Sequence, residues 1–68
     1  MIPPKLSKKH REVIKVLKKE HLTSFQILNK IRNISLILVV YNILDELKSM
    51  GILKSYIKQD LTYHYIKE

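Results

Sequence analysis

The chain has 68 residues, enough for a single domain, and a chain of this size buries only about 60% of the surface that its unfolded form exposes. It contains no cysteine, which excludes disulfides and thiolate metal sites and fits a cytoplasmic, reducing location. Its apolar run over residues 36–41 is followed by polar and charged residues, whereas a membrane-spanning helix needs about 20 apolar residues, so we expect no membrane segment. We also expect no signal peptide, because residues 1–5 contain two prolines and no apolar core region.

The formal charge of +7 is unevenly distributed along the chain. Residues 1–34 hold nine of the thirteen lysine and arginine residues but only two of the six acidic residues. A basic domain of this kind is typical of proteins with a polyanionic partner such as nucleic acid. The lysine-rich and isoleucine-rich composition, with no alanine, suggests an AT-rich genome, such as that of a mobile element or a thermophile.

The N-terminal part of the chain predicts an arm followed by an amphipathic helix. Two adjacent prolines indicate an extended arm over residues 1–6, and Ser7 is a suitable N-cap for the first helix. Between Lys8 and His21, apolar residues fall on one side of a helical wheel and most lysines on the other. Three cations of this helix are candidates for sequence-independent phosphate contact, with a solvated helix face as the alternative: Lys8, Lys9 and Arg11.

A second, shorter helix is predicted by a capping box. Thr23 and Gln26 have the Thr-x-x-Gln spacing in which side chain and backbone satisfy each other at a helix start. The helix should therefore run from Ser24 to Lys30 or Ile31. A tight connection over residues 32–34 comes after it.

The third helix should be capped by Ser35 and should end before Gly51, which is suited to a left-handed helix terminus. Stepping 100° per residue from Val40, about the turn of an ideal helix, separates an inner from an outer face. The inner face is predicted to hold Leu36, Ile37, Ile43, Leu44 and Leu47. The outer face is predicted to hold Leu38, Asn42, Asp45 and Ser49, with Val39, Tyr41 and Glu46 at the flanks.

The β-branched and aromatic residues of segments 52–58 and 61–67 predict two strands. Gln59 and Asp60 make a poor type I′ turn, so a two-residue turn and a four-residue loop from Lys58 to Leu61 are both open. The predicted order is three helices followed by a two-stranded β-hairpin wing in one domain. This is an α+β, winged helix-turn-helix fold.

Residues 40–53, VYNILDELKSMGIL, resemble the recognition helix of the ferric uptake regulator family. That family has a Thr-Val-Tyr-Arg motif, a leucine pattern and a Gly-Ile/Leu-Val exit into the wing; here the motif reads VVYN over residues 39–42. Residues 22–28 resemble the start of the family's second helix and residues 63–65 its closing strand. The resemblance implies a DNA-binding domain. It does not imply iron sensing, because the family's dimerisation domain and histidine cluster have no counterpart here.

The resemblance implies that the outer face of the third helix enters the major groove of DNA. Asn42 could then pair bidentately with adenine, while Leu38 and Val39 meet thymine methyl groups. The alternative is that this apolar edge contacts a protein. The candidate DNA contacts come from the start of the second helix, the third helix and the wing: Thr23, Ser24, Ser35, Leu38, Val39, Tyr41, Asn42, Lys54 and Lys58.

No catalytic or metal-binding pattern is found among the titratable residues. His10, His21 and His64 are scattered, and all three are expected at the surface. Asp45 and Glu46 are sequence neighbours on a helix, so their carboxylates do not converge on one point. There is only one glycine, so no phosphate-binding loop is expected. We expect no enzyme activity, no metal and no cofactor.

Two further expectations concern packing. At least one tyrosine of the hairpin should seal the core against the first helix, with base stacking as the alternative. A homodimer is expected because the core is small and one recognition helix reads few base pairs.

The predicted function is that of a small DNA-binding transcriptional regulator, with a protein-interaction module as the alternative. For a small regulator of this kind we expect a mobile element or virus as the source.

Overall fold

A computed structural model describes residues 6–67 of the chain. Within this range three helices precede an antiparallel hairpin: α1 (Lys8–Lys19), α2 (Ser24–Lys30), α3 (Ile37–Ser49), β1 (Leu53–Lys58) and β2 (Leu61–Ile66). The α+β, winged-helix arrangement predicted from the sequence is confirmed. The predicted arm, apart from Leu6, lies outside the described residues.

Helix α1 begins as predicted but ends two residues earlier. Ser7 is its N-cap, with Oγ accepting a hydrogen bond of 3.3 Å from the His10 N–H. Glu20 is already extended, and Leu22 forms an antiparallel bridge with His64 of β2 through N–H to carbonyl bonds of 3.1 and 2.7 Å. Because Leu22 is both buried and paired with the hairpin, the chain must leave the helix before it.

Helix α2 begins with the predicted capping box. The Gln26 N–H donates to Thr23 Oγ1 at 3.3 Å, and the Thr23 N–H donates to Gln26 Oε1 at 3.0 Å. Two of the N–H groups that a helix start leaves without a partner are satisfied in this way.

Helix α3 does not begin where the sequence placed it. Its N-cap is Leu36, which has no side chain able to cap, and Ser35 makes no capping hydrogen bond. Ile34 is buried in the core, and Leu36, just before the first helical residue Ile37, has an extended backbone. Leu36 therefore precedes the helix and does not follow its wheel: it is 64% exposed, so its assignment to the inner face is wrong.

The end of α3 is a Schellman motif. The Gly51 N–H donates to the Lys48 carbonyl at 3.0 Å, and the Ile52 N–H donates to the Leu47 carbonyl at 3.1 Å. Gly51 has a φ of 79°, the left-handed conformation that glycine adopts without steric cost. This turn directs the chain out of α3 and into β1.

The hairpin closes through the two-residue turn, not the four-residue loop. Lys58 pairs with Leu61, and both turn residues have positive φ, 53° at Gln59 and 67° at Asp60, as a type I′ turn requires. Leu53 is buried at the base of β1, which fixes the phase of the alternating side chains.

The core lies where the three helices meet the base of the hairpin. Its buried members are all aliphatic, and no polar side chain is buried within residues 6–67: Val13, Leu17, Leu22, Ile27, Ile31, Ile34, Val40, Ile43, Leu44, Leu47 and Leu53. The four from α3 all belong to the predicted inner face. Over the described part of the chain, no helix combines the length and apolar character needed to cross a bilayer.

Candidate nucleic-acid interface

The outer face of α3 carries three exposed side chains that were predicted as base contacts. Leu38 is 68% exposed, Tyr41 is 45% exposed, and Asn42 is also exposed. Val39 is half-buried and packs against the core, so less of its surface is free for a partner. The side chains of Leu38, Tyr41 and Asn42 project from one face because residues three and four apart in a helix are neighbours.

An open groove of about 660 Å³ lies between α3, the start of α2 and the wing. It brings together four of the predicted site residues, Thr23, Ser24, Tyr41 and Asn42. Phe25 also lines it and is 60% exposed, although sequence reasoning did not select it. A helical wheel of α2 could have found this residue, because Phe25 lies about 160° from the buried Ile27.

The charges that line the groove are mixed. Asp45 and Lys48 of α3 and Asp60 of the wing turn all contribute to it. Two carboxylates against one ammonium give this concave surface a local excess of negative charge, although the chain as a whole is strongly basic. The two carboxylates disfavour a phosphate placed beside them.

His64 is half-buried and lines this groove, whereas the sequence had suggested that it faces solvent on its strand. Its Nδ1 is 2.8 Å from Ser55 Oγ on the paired strand, and its backbone forms both hydrogen bonds to Leu22. Desolvation by burial lowers the pKa of the imidazole below 6.5, and the positive charge of Lys48 lowers it further.

The other two histidines also have partners. His10 is half-buried, and its ring contacts both Ser7 and Glu46, so its expected surface position is wrong. His21 is exposed, as predicted, and interacts with tyrosines of the hairpin. Among residues 6–67, no three histidine or acidic side chains converge on a point that could hold a metal ion.

The predicted phosphate-contacting cations of α1 lie beside α3. Lys8 and Lys9 are exposed, and they precede His10, whose contact with Glu46 holds this end of α1 against α3. Glu46 lies outside the groove, on the other flank of α3. The Arg11 Nη1 donates to the Leu6 carbonyl at 2.9 Å, which ties the arginine to the segment that precedes the helix.

The remaining predicted contacts do not line the groove. Ser35 is exposed just before α3. Lys54 and Lys58 are exposed on the hairpin, on the same side of the strands as Tyr65 and Leu61, with which they pair. Ser55, between the two lysines, contacts His64 on the groove side.

Comparison with known proteins provides a structural likeness. No protein-family model matches the chain, and no curated protein matches its sequence significantly. Among solved structures, a mutant of ZitR from Lactococcus lactis superposes with a TM-score of 0.84 at 20% sequence identity. The alignment covers 100% of this chain and 47% of the ZitR chain, so the chain spans about half of that protein's length. At this identity the likeness concerns the fold alone.

Proposed function

We propose that the chain binds double-stranded DNA and acts as a small transcriptional regulator, with α3 in the major groove. The observation that carries the proposal is the exposed side chain of Asn42 beside Leu38 and Tyr41, on the outer face of a helix flanked by the wing. An α-helix with its side chains is about 10–12 Å wide, and the major groove of B-DNA is about 12 Å wide.

Base reading would divide between polar and apolar contacts. The Asn42 amide can accept a hydrogen bond from the amino group at adenine N6 and donate one to adenine N7, forming a bidentate pair, and Leu38 offers an apolar surface to a thymine methyl. The composition of this face thus favours A·T-containing sites. The resemblance of residues 39–53 to the ferric uptake regulator family supports the same use of α3.

Phosphate contacts would come from the margins of the interface. Thr23 and Ser24 lie at one margin of the groove, while Lys8, Lys9 and Arg11 extend from α1 on the other flank of α3. Ser35, Val39, Lys54 and Lys58 complete the proposed set, with Lys58 next to the wing tip. Such contacts position the protein on the duplex without reading its sequence.

The proposed homodimer and the proposed location both follow from DNA as the binding partner. A single α3 reads few base pairs, so a homodimer on two half-sites would supply the specificity that a regulator needs. As a binder of genomic DNA, the protein would act inside the cell and as a binding protein in place of an enzyme.

A second candidate function is supported by the exposed apolar residues around the same face. Phe25, Leu36 and Leu38 are each at least 60% exposed, and the groove beside them carries an excess of carboxylates. Apolar surface of this kind is typical of protein contacts. A protein-interaction module using the start of α3 is therefore the alternative.

The deciding experiment compares two asparagine variants in a fluorescence-anisotropy titration with AT-rich and GC-rich duplexes. Asn42→Ala should weaken binding to the preferred duplex by about tenfold, because a good bidentate base contact is worth about 1–3 kcal/mol. Asn29→Ala, a control at an exposed position of α2, should bind like the parent protein. Equal affinity of Asn42→Ala and the parent for the best duplex would overturn the assignment. Loss of a protein complex in Leu38→Asp, with weak and unselective duplex binding throughout, would favour the alternative.

A further inference from the structure

The hairpin has a second face whose two lysines are among the proposed phosphate contacts, but whose three tyrosines the proposed duplex contacts do not use. Because Leu53 points into the core, the alternation of side chains along β1 places Lys54, Tyr56 and Lys58 on the opposite face. Their cross-strand partners on β2 are Tyr65, Tyr63 and Leu61, respectively. None of the three tyrosines lines the groove beside α3.

The tyrosines of this outer face form a connected aromatic surface with His21. The Tyr56 and Tyr63 rings are nearly parallel, with an interplanar angle of 15° and centroids 5.7 Å apart. The His21 ring stacks on Tyr65 at 4.8 Å, and its Nδ1 lies 2.8 Å from the Tyr56 hydroxyl oxygen. This hydrogen bond holds Tyr56 in place although the side chain is 38% exposed.

The tyrosines do not seal the core, as one of them was expected to do. The hairpin residues that reach the core are Leu53, which is buried, and Ile66, which packs against it. These two residues pair with each other at the base of the hairpin. Tyr56 is exposed and Tyr63 and Tyr65 are half-buried, and none of the three belongs to the aliphatic core or packs against it.

The charge of this face is positive. Lys54 and Lys58 are both exposed and are four residues apart, which corresponds to about 13 Å along a strand. Neither strand contains an acidic residue. Tyr56 therefore lies between the two lysines along the strand.

We propose that the outer face of the hairpin binds single-stranded nucleic acid. Every base has a π-face that can stack on an aromatic side chain, and lysines along the platform attract the phosphate backbone. In a duplex the flat surfaces of the bases are covered by the neighbouring bases. The outer face of the hairpin therefore prefers unpaired strands to duplex. Its ligand thus differs from that of α3.

The charges argue against a second copy of the chain as the occupant. A two-fold contact through this face would bring the same patch of each subunit together, with four lysine ammonium groups near one another and no carboxylate from either strand. A polyanion neutralises these charges and releases counterions as it binds.

The test measures the affinity of the full chain for a labelled oligothymidylate and for a duplex. Tyr56→Leu keeps an apolar side chain in the strand but removes the ring, and it should weaken oligothymidylate binding by about tenfold while leaving duplex binding unchanged. Tyr41→Leu, which removes the tyrosine of α3, is the matched control and should leave oligothymidylate binding unchanged. Asn42→Ala should likewise affect the duplex alone, so the two proposals fail separately.

A charge-matched pair keeps the test valid if Tyr56→Leu does not fold. Lys54→Gln should weaken oligothymidylate binding severalfold, whereas Lys15→Gln, at an exposed position of α1, should have a smaller effect. Equal effects of Tyr56→Leu and Tyr41→Leu, or of the two lysine variants, would overturn the proposal. So would a parent protein that ignores oligothymidylate and sediments as a dimer that Tyr56→Leu dissociates.

Discussion

His64 connects the hairpin to the segment after α1, and its imidazole lies near a positive charge. Neither feature can be inferred from the residues next to it in the sequence. Its backbone joins the hairpin to Leu22, its ring contacts Ser55, and Lys48 approaches it from α3. Burial and the nearby ammonium both disfavour the imidazolium form, so the pKa of His64 is lower in the folded protein than in the unfolded chain.

Stability should therefore depend on pH through His64. Above 6.5 the imidazole is neutral in both states and its contribution is complete; as pH falls below 6.5, the unfolded chain binds the proton first and the free energy of unfolding decreases. We expect urea unfolding to show this loss in the parent protein and a smaller loss in His64→Asn, whose amide replaces Nδ1 opposite Ser55. An identical pH dependence in both proteins would contradict the assignment.

At the scale of elements, the starts of α2 and α3 differ although each lies near a hydroxyl side chain. Thr23 exchanges two hydrogen bonds with Gln26 across the first turn of α2, while Ser35 is exposed and forms no cap. Helix starts leave up to four N–H groups without intrahelical partners, so this difference has an energetic consequence.

Thr23→Ala should lower the free energy of unfolding by about 1 kcal/mol, the usual contribution of a side-chain cap. In a domain of this size, this corresponds to a decrease in Tm of about 4–8 °C. Ser35→Ala removes the same hydroxyl from an exposed position and should leave Tm nearly unchanged. Thermal denaturation followed by circular dichroism measures both, and equal decreases would place the start of α3 at Ser35 after all.

The sequence predicted those parts of the fold that depend on local chemistry. The caps at Ser7 and Thr23 and the left-handed turn at Gly51 each depend on residues within one or two helical turns. The exposed positions of Leu38 and Asn42 followed from helix periodicity alone. The two-residue turn at residues 59–60 was left open because Gln-Asp is not one of the pairs, such as Asn-Gly or Asp-Gly, that a type I′ turn prefers.

The features that sequence reasoning missed depend on distant parts of the chain. Nothing near Leu22 indicates that it pairs with His64, since that bridge forms only when the hairpin folds back onto α1. The same bridge explains the early end of α1 and the partial burial of His64. The outer position of the tyrosines is set by the burial of Leu53, because side chains alternate along a strand and one anchor fixes them all.

At the scale of the whole molecule, the positive charge and the side chains proposed to read bases lie on different elements. The cations are concentrated in α1 and around the end of α2, whereas α3 brings Lys48 against Asp45 and Glu46. Affinity and sequence preference should therefore be separable by mutation.

Replacing Lys8 and Lys9 by glutamine should weaken duplex binding to all sequences alike and reduce the salt dependence. Removing one phosphate contact lowers the slope of log affinity against log salt by about 0.9. Asn42→Ala should instead reduce the preference between duplexes and leave the slope unchanged. Anisotropy titrations at several salt concentrations give both quantities, and an unaltered slope in the lysine variant would show that α1 stays away from the phosphates.

The bridge between Leu22 and His64 also determines how the wing can move. It fixes β2 near its middle, so that only the part of the hairpin beyond His64 can bend. This part is about four residues, or 13 Å, long on each strand. Ordering a freely jointed segment would oppose binding by about 1–2 kcal/mol per residue. Because the bridge already orders the rest of the wing, only the short tip loses conformational entropy on binding. Amide exchange should accordingly be slow at Leu22 and His64 and fast at Gln59 and Asp60.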